Sequence, residues 1–129
     1  DSNLQWNIFL APHHCSWTFF NDTNKKDEVC ESADKILARQ IGDRSFIISS
    51  SKEIKEEDQD PPCYQAKKEY KKRLKTKDNF RNTALDHKVN GIPQPIVFYI
   101  DEHGKRKKEY NTESAGNSVY SRPAPRAGK

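Results

Sequence analysis

The chain has 129 residues, enough for one domain with a single hydrophobic core, and a second complete domain is not expected at this length. Apolar and charged residues each make up 33% of the sequence, a polar balance that leaves little material for a core that folds without a partner or a further segment. The formal net charge of +4 is compatible with an anionic substrate but is too small to require nucleic acid.

The sequence lacks the usual signals for a membrane or secretory location. No run approaches the ~18 consecutive apolar residues of a membrane-spanning helix. The first residues also lack the basic segment followed by an apolar segment that is typical of a signal peptide. A cytoplasmic protein without a membrane partner is therefore the expectation. Cys15, Cys30 and Cys63 are too few and too widely spaced for a disulfide framework or a CxxC site. They are expected to be reduced thiols, with Cys30 and Cys63 in the core.

The first half of the chain predicts a strand, a helix and a second strand. Residues 4–11 carry alternating apolar side chains and precede Pro12, which indicates a strand that ends at the proline. Apolar residues then recur at helical spacing across residues 29–41. The β-branched and aromatic run Phe46-Ile47-Ile48 precedes three serines, which is typical of a short central strand.

The segment after the charged loop predicts an amphipathic helix with a strongly basic face. Asp60 is the expected N-cap, and Pro61-Pro62 suits a first helical turn. The expected apolar face carries Cys63, Ala66, Tyr70 and Leu74. The other face carries Lys67, Lys68, Lys71, Lys72, Arg73, Lys75 and Lys77. The simpler interpretation of this charge run is a solvated helix surface. The functional interpretation is that its members up to Lys75 contact nucleic acid.

The remainder of the chain predicts a short strand, a hairpin and a tail, which completes an α/β fold. Residues 80–85 are compatible with a short strand. Residues 95–101 and 105–110 flank a glycine-containing turn and predict a hairpin whose second strand is charged enough to form an edge. Small residues and prolines from residue 112 onward predict a mobile tail. The expected domain is therefore residues 1–111 and the expected tail is residues 112–129.

Two adjacent histidines follow the first predicted strand, in the segment Ala11-Pro12-His13-His14-Cys15-Ser16. A neutral imidazole offers a nitrogen lone pair near pH 7, so a histidine fixed at a strand end can bind a metal without prior deprotonation. Adjacent histidines usually diverge, so one of the two is expected to be a ligand. Ser16 is placed to hydrogen-bond a backbone group of the turn. A turn histidine bonded to backbone is the structural alternative.

The segment from Leu10 to Ser16 resembles the Pro-His-His-Gly-Ser motif of metallo-β-lactamase-fold proteins of the ComEC-like DNA-uptake group, with Cys15 in place of the glycine. The order of later features is also similar over residues 4–110. These features are a helix, a strand ending in small polar residues, a proline-marked helix, a short strand with a threonine and a hairpin. Asp60-Pro61-Pro62 stands where the family has a Gly-His-Pro element, and the histidine of that element is missing.

The resemblance implies the C-terminal half of an αββα sandwich, with a mixed sheet and flanking helices, in a metal-dependent hydrolase of phosphoesters or nucleic acid. The ribonuclease Z and ribonuclease J branches of the superfamily have a His-x-Ser unit whose histidine binds metal, and His14-Cys15-Ser16 is similar to it. His14 is thereby the implied ligand of a divalent metal, zinc or manganese. His13 and Ser16 are implied to line the substrate pocket or to support the ligand.

The superfamily's main metal-binding signature, His-x-His-x-Asp-His, does not occur in the 129 residues. A hydrolytic site needs several protein ligands and an open position, because the metal must bind firmly and lower the pKa of a bound water to ~7. The chain is therefore expected to be inactive without a missing N-terminal half, in the same protein or in a separate chain. Two other hypotheses stay open: a non-catalytic nucleic-acid- or partner-binding module that uses the helix from Lys67 to Lys77, and a degenerate half retained for assembly.

Overall fold

The computed structural model describes residues 4–23, 25–104 and 106–109, and the chain divides into two units, residues 1–86 and residues 87–129. The described residues combine helices and strands, so the protein belongs to the mixed α/β class. None of the helices in this described part is both long and apolar enough to cross a membrane. The expected tail, residues 112–129, lies outside the described residues.

The first unit is built on a three-stranded parallel sheet. Its strands are β1 (Ile8–Leu10), β2 (Phe46–Ser49) and β3 (Phe80–Asn82), in the order β1-β2-β3. Parallel neighbours need a long crossover, and the longest helix of each crossover is α1 (Glu31–Leu37) or α2 (Tyr64–Arg73). Because all three strands run in one direction, their carboxyl ends lie along the same edge of the sheet.

The sequence places the helices correctly but misjudges some ends. The apolar face expected for the second helix is confirmed, because its four members are all buried. The N-cap is Cys63 rather than Asp60, and the helix begins after the two prolines instead of including them. The physical reason is a tertiary bond, since the Cys63 amide donates to the carbonyl of Cys15 (2.9 Å) and holds residue 63 in an extended conformation. Short 3-10 helices at Trp17–Phe19 and Lys77–Asn79 complete the helical segments.

The expected strand over residues 4–11 is shorter in the structure. Only β1 pairs regularly with β2, whereas Trp6 forms a single bridge with Gln40. The Trp6 amide donates to the carbonyl of Arg39, and the Trp6 carbonyl accepts from Ile41. The start of this segment is therefore bonded to the loop after α1, which prevents it from pairing further along β2.

The core lies between the sheet and the two helices. Phe9, Ile47 and Phe80 occupy neighbouring register positions on the three strands and belong to one apolar cluster. Tyr70 of α2 is completely buried in this cluster, with its ring centroid 4.6 Å from that of Phe20. Further ring contacts at 5.6–6.4 Å join Tyr70 to Phe19, Phe80 and Phe9. One helical tyrosine thus connects the sheet to the aromatic segment after β1.

The other face of the sheet is also apolar, although no residue of this face belongs to the core cluster. Side chains alternate between the two faces of a strand, so Ile8, Leu10, Phe46 and Ile48 lie opposite the helices. Phe46 and Ile48 are buried, but Leu10 at the end of β1 is 69% exposed. The β1 end of this second face therefore presents an apolar surface to solvent.

The second unit contains two antiparallel hairpins. The expected hairpin is confirmed as β6 (Phe98–Ile100) paired with β7 (Arg106–Glu109). The first hairpin, β4 (Lys88–Val89) with β5 (Ile92–Pro93), was not expected from the sequence. The sequence pair Asn90-Gly91 could have indicated this hairpin, because both residues adopt the positive φ that a tight hairpin turn requires.

His87 lies in a polar stretch of the sequence, and this polarity alone predicts a surface residue. Its side chain is instead 2% exposed. The carbonyl of His87 accepts a hydrogen bond from the Gln94 amide (2.7 Å), which fixes the backbone just before β4. Loop polarity predicts the average environment of a segment, but tertiary packing decides it for a single side chain. His103 lies in another polar stretch, for which a surface position is likewise predicted, and its side chain is exposed.

Candidate functional site

The histidine pair lies in a left-handed turn, Pro12–Cys15, directly after β1. The φ angles of His13, His14 and Cys15 are 50°, 58° and 67°, a conformation that costs an L-residue roughly 1–2 kcal/mol. Three successive residues of this kind are maintained by contacts on both sides of the turn. The Ala11 amide donates to the carbonyl of Ile48 (2.9 Å), and Cys15 is held by the bond from Cys63. The turn reverses the chain and leaves both imidazoles exposed.

Cys15 anchors the turn in the core. Its side chain is fully buried, and desolvation raises the pKa of the thiol from 9.0 to about 12. The Sγ atom also lies 3.9 Å from the carbonyl oxygen of Cys63. The thiol therefore stays protonated at neutral pH, and its role in this structure is to pack. Cys63 is also buried, Cys30 is only partly buried, and all three cysteines are free thiols, as expected.

His14 has one ring nitrogen fixed by the neighbouring strand. Its Nδ1 atom lies 2.6 Å from the backbone carbonyl oxygen of Ser50, the residue after β2. A carbonyl oxygen only accepts, so Nδ1 must carry the proton in this contact. In the neutral ring the Nε2 atom then holds the lone pair. This backbone bond is the one that the structural alternative predicts for a turn histidine, and it also selects one tautomer of His14 and leaves the other nitrogen able to act as a ligand.

A network of polar hydrogen bonds joins the carboxyl ends of β2 and β3. The Ser49 and Ser51 hydroxyls are 2.8 Å apart, and the Asn82 side-chain amide donates to the Ser51 hydroxyl and to the carbonyl of Lys52, each at 2.9 Å. The Asn82 side-chain oxygen accepts from the amide of Ala84 (2.9 Å). The ends of all three strands are thus joined, from His14 through residues 50 and 51 to Asn82. Sequence reasoning missed Asn82, although asparagine at the end of a strand is a common turn-forming residue.

The other residues of the motif have different environments. His13 is exposed at the tip of the turn. Ser16 is buried, and its hydroxyl accepts from the amide of Thr18 (3.2 Å) and so caps the 3-10 helix that follows. The Ser16 side chain therefore bonds a backbone group, as expected, but this group belongs to the 3-10 helix and not to the turn. Its contacts stabilise the turn from inside the fold, whereas His13 faces solvent.

The basic residues of α2 separate into two groups. A depression of about 290 Å³ beside α2 is lined by Tyr64, Lys67, Lys68, Lys71, Lys72 and Lys77. Arg73 does not line it, because its guanidinium pairs with Asp34 (2.6 Å) and Glu69 (2.9 Å). Desolvation by partial burial lowers the pKa of Arg73, but the hydrogen bonds to these two carboxylates have the larger combined effect. The pKa of Arg73 therefore lies above its usual value. Lys75 is exposed but lies outside the depression.

A complete metal site is not formed by this part of the protein. Among residues 4–23, 25–104 and 106–109, no group of three or more His, Cys, Asp and Glu side chains is placed to hold a metal ion. His14 is accordingly a single oriented imidazole among hydroxyl and amide groups. No protein-family model, curated protein or solved structure matches the chain.

Proposed function

We propose that the chain is the C-terminal half of a metal-dependent hydrolase with a metallo-β-lactamase-type sandwich, acting on phosphoesters, and that His14 supplies one metal ligand. The observation that carries the proposal is the contact between His14 Nδ1 and the Ser50 carbonyl. Metal-binding histidines almost always donate their second ring nitrogen to a carbonyl or carboxylate, which fixes both the tautomer and the ring orientation.

The conformation of the turn supports this proposal. Cys15 stands where the similar motif has glycine, and its φ of 67° lies in the region that glycine adopts most readily. A positive φ at this position is compatible with the glycine of the similar motif, although the residue differs. Strained backbone of this kind is concentrated at functional sites, where surrounding structure maintains it.

The second face of the sheet supports the proposed position within a sandwich. Helices cover one face, while Leu10 at the end of β1 exposes an apolar side chain on the other. A sheet of a two-layer domain buries its apolar face against a second layer. In the proposal, that layer is the sheet of the N-terminal half, which also provides the remaining metal ligands.

The proposed chemistry assigns this chain a positioning role. A bound zinc or manganese ion would lower the pKa of its water, so that hydroxide would be available at neutral pH as the nucleophile. Ser50 holds the His14 ring so that the Nε2 lone pair is available for coordination. The Ser51 and Asn82 network holds the loop that carries the Ser50 carbonyl.

The ligand assignment predicts a specific order of events in a zinc titration followed by nitrogen NMR of the histidine rings. Before zinc is added, His14 should show the Nδ1–H tautomer. On addition, the His14 Nε2 signal should shift before those of His13 and His103, while the Nδ1 proton is retained. The first shift should disappear in the His14→Ala variant and persist in His13→Ala. Parallel shifts of all exposed histidines, or an Nε2–H tautomer in the free protein, would contradict the assignment.

The lysines of α2 favour a second candidate function, a nucleic-acid-binding module. The depression beside α2 is lined by five lysines, none of which forms an ion pair within the described part of the chain. Lys67 with Lys71, and Lys68 with Lys72, are like charges four positions apart on one helix, an arrangement that destabilises a free helix. Bound phosphates would relieve this repulsion.

If the chain is a nucleic-acid-binding module, it should bind single-stranded DNA and RNA alone, and the affinity should fall with rising salt. Fluorescence anisotropy measures this binding. Replacing Lys68 and Lys72 by glutamine should make the slope of log affinity against log salt shallower by about 1.4, since each lost phosphate contact contributes ~0.7 for single strands. The matched control replaces Lys25 and Lys35, which are exposed and already paired with Glu28 and Glu31. Equal slopes for the two double variants would argue against a specific surface.

A further inference from the structure

The outer edge of β1, on the side away from β2, carries backbone groups that the fold leaves unpaired. The Asn7 carbonyl and the Ala11 amide each bond β2, which sets the alternation along the strand. The residues that alternate with them, Ile8 and Leu10, direct their amides and carbonyls away from β2. These groups have no hydrogen-bond partner among the residues that the structure describes. The β1 edge can therefore accept a further strand.

The opposite edge of the sheet, on β3, is closed by bonds within the chain. Its outward-facing residues are Phe80 and Asn82. The Phe80 amide donates to the carbonyl of Lys77. The Asn82 amide donates to the Asp86 carboxylate, and the Asn82 carbonyl accepts from the Asp86 amide (2.9 Å). Most of the outward groups of β3 are thus used, so the two edges of this sheet differ in their capacity to pair.

The β1 edge also lacks the features that protect an exposed strand from pairing. Soluble proteins usually protect such edges with charged side chains, proline or a bulge. The pairing of β1 with β2 is regular, and residues 2–21 contain no Asp, Glu, Lys or Arg in a chain of which 33% is charged. Leu10 leaves 69% of its surface exposed at this edge. The edge therefore suits an uncharged, extended partner.

A second copy of β1 can satisfy all of the unpaired groups at once. In an antiparallel pair, two facing residues exchange both of their hydrogen bonds. If two copies meet with Phe9 on the twofold axis, Ile8 of one copy faces Leu10 of the other, and the symmetric contact is equivalent. Their apolar side chains then also come together. Because this segment has no charged side chain, two copies of a chain with net charge +4 meet here without opposing like charges.

The surroundings of β1 permit this pairing and keep it short. The histidine turn bends toward β2, since His14 contacts the Ser50 carbonyl, and does not use the outer edge. At the other end, the Trp6 backbone is bonded to the loop after α1, so pairing stops before that residue. An interface of this length buries less than the ~1,200 Å² of a stable complex, so we expect a weak dimer that depends on concentration.

We propose that the chain forms a symmetric dimer in which β1 pairs antiparallel with β1 of a second copy. The two parallel sheets then join into one continuous sheet. This dimer uses the edge of the sheet, whereas the proposed N-terminal half covers the second face, and no backbone group of the histidine turn takes part. The dimer and the metal-ligand assignment can therefore fail separately.

Amide hydrogen exchange over a concentration series, with sedimentation velocity on the same samples, tests the pairing in the native chain. The Ile8 and Leu10 amides have no acceptor in the described monomer, so they should exchange freely in dilute solution. They should exchange at least about tenfold more slowly once more than about 90% of the chains are paired. The Ala11 amide, already bonded to β2, is the internal reference and should change little. A chain that stays monomeric at its highest soluble concentration, or a dimer in which Ile8 and Leu10 still exchange freely, would overturn the proposal.

Charge substitutions test the antiparallel register. Leu10→Lys or Ile8→Glu alone places an unpaired charge in the contact and should abolish the dimer. The double variant should restore it, because each substituted position then faces the opposite charge on the other copy. The matched control is Ile92→Lys, at a residue of the second unit that is 61% exposed, and it should leave dimerisation unchanged. Equal loss in Leu10→Lys and Ile92→Lys, or a folded double variant that stays monomeric, would overturn the proposal. Thermal melting verifies that each variant is folded.

Discussion

The Tyr70→Ala variant is expected to lose about 3–5 kcal/mol of unfolding free energy, the cost typical of removing a large aromatic side chain from a core. The ring is completely buried and contacts rings from β1, β3 and the segment after β1. Its loss would leave a cavity where α2 meets the sheet. Urea denaturation followed by circular dichroism measures the effect, which is a large part of the ~5–15 kcal/mol that stabilises a typical domain.

The Tyr70→Phe variant is the matched control, and we expect it to be more stable than the native chain. The Tyr70 hydroxyl is buried and has no hydrogen-bond partner in the described structure, and desolvation raises its pKa above the usual value. Removing an unsatisfied hydroxyl should add about 1 kcal/mol, the lower end of the penalty for such a group. A Tyr70→Phe variant less stable than the native chain would show that the hydroxyl contributes a bond.

The second large effect is expected for Asn82→Ala, which should destabilise the protein by about 2–4 kcal/mol because several buried polar groups lose their partners. The Asn82 side chain bonds the Ser51 hydroxyl, the Lys52 carbonyl and the Ala84 amide. Its loss also frees the loop that holds the Ser50 carbonyl against His14. We therefore expect the His14 tautomer signal to weaken in the same variant under native conditions.

Asn79→Ala provides the comparison for Asn82→Ala. Asn79 is less buried, and its side-chain amide makes longer bonds, 3.2 Å to the Ser45 carbonyl and 3.4 Å to the Asp43 carbonyl. This variant should lose less than about 1 kcal/mol and leave the His14 tautomer unchanged. An equal loss in both asparagine variants, measured by urea denaturation, would show that the carboxyl-edge network has no special importance.

Local sequence patterns predicted those parts of the fold in which buried residues follow a regular period or form a continuous apolar run. The apolar face of α2 was found because its side chains are buried at helical spacing, and residues 46–48 were found as a β-branched and aromatic run that is buried throughout. The strand expected over residues 80–85 ends at Asn82, because the turn that this asparagine organises stops the pairing. Periodicity identifies buried faces, but tertiary bonds decide where each element ends.

The candidate site was predictable only in its local part. The histidine pair is a contiguous motif at a strand end, and its position was expected correctly. The partner of His14 is Ser50, 36 residues away, and the parallel register that brings them together leaves no trace in either segment. Such juxtapositions follow from the order of strands in the sheet, which composition and spacing do not specify.

The parallel sheet also affects how the chain folds. Both outer strands pair only with β2, and the residue pairs Ile8 with Phe46 and Ile47 with Phe80 are far apart in sequence. Closing such long loops costs entropy before any strand contact forms, which slows folding. During synthesis, β2 can pair with β1 as soon as it emerges, but its other edge stays open until β3 follows. Over that interval one edge of a strand that is buried in the finished fold is exposed to intermolecular pairing.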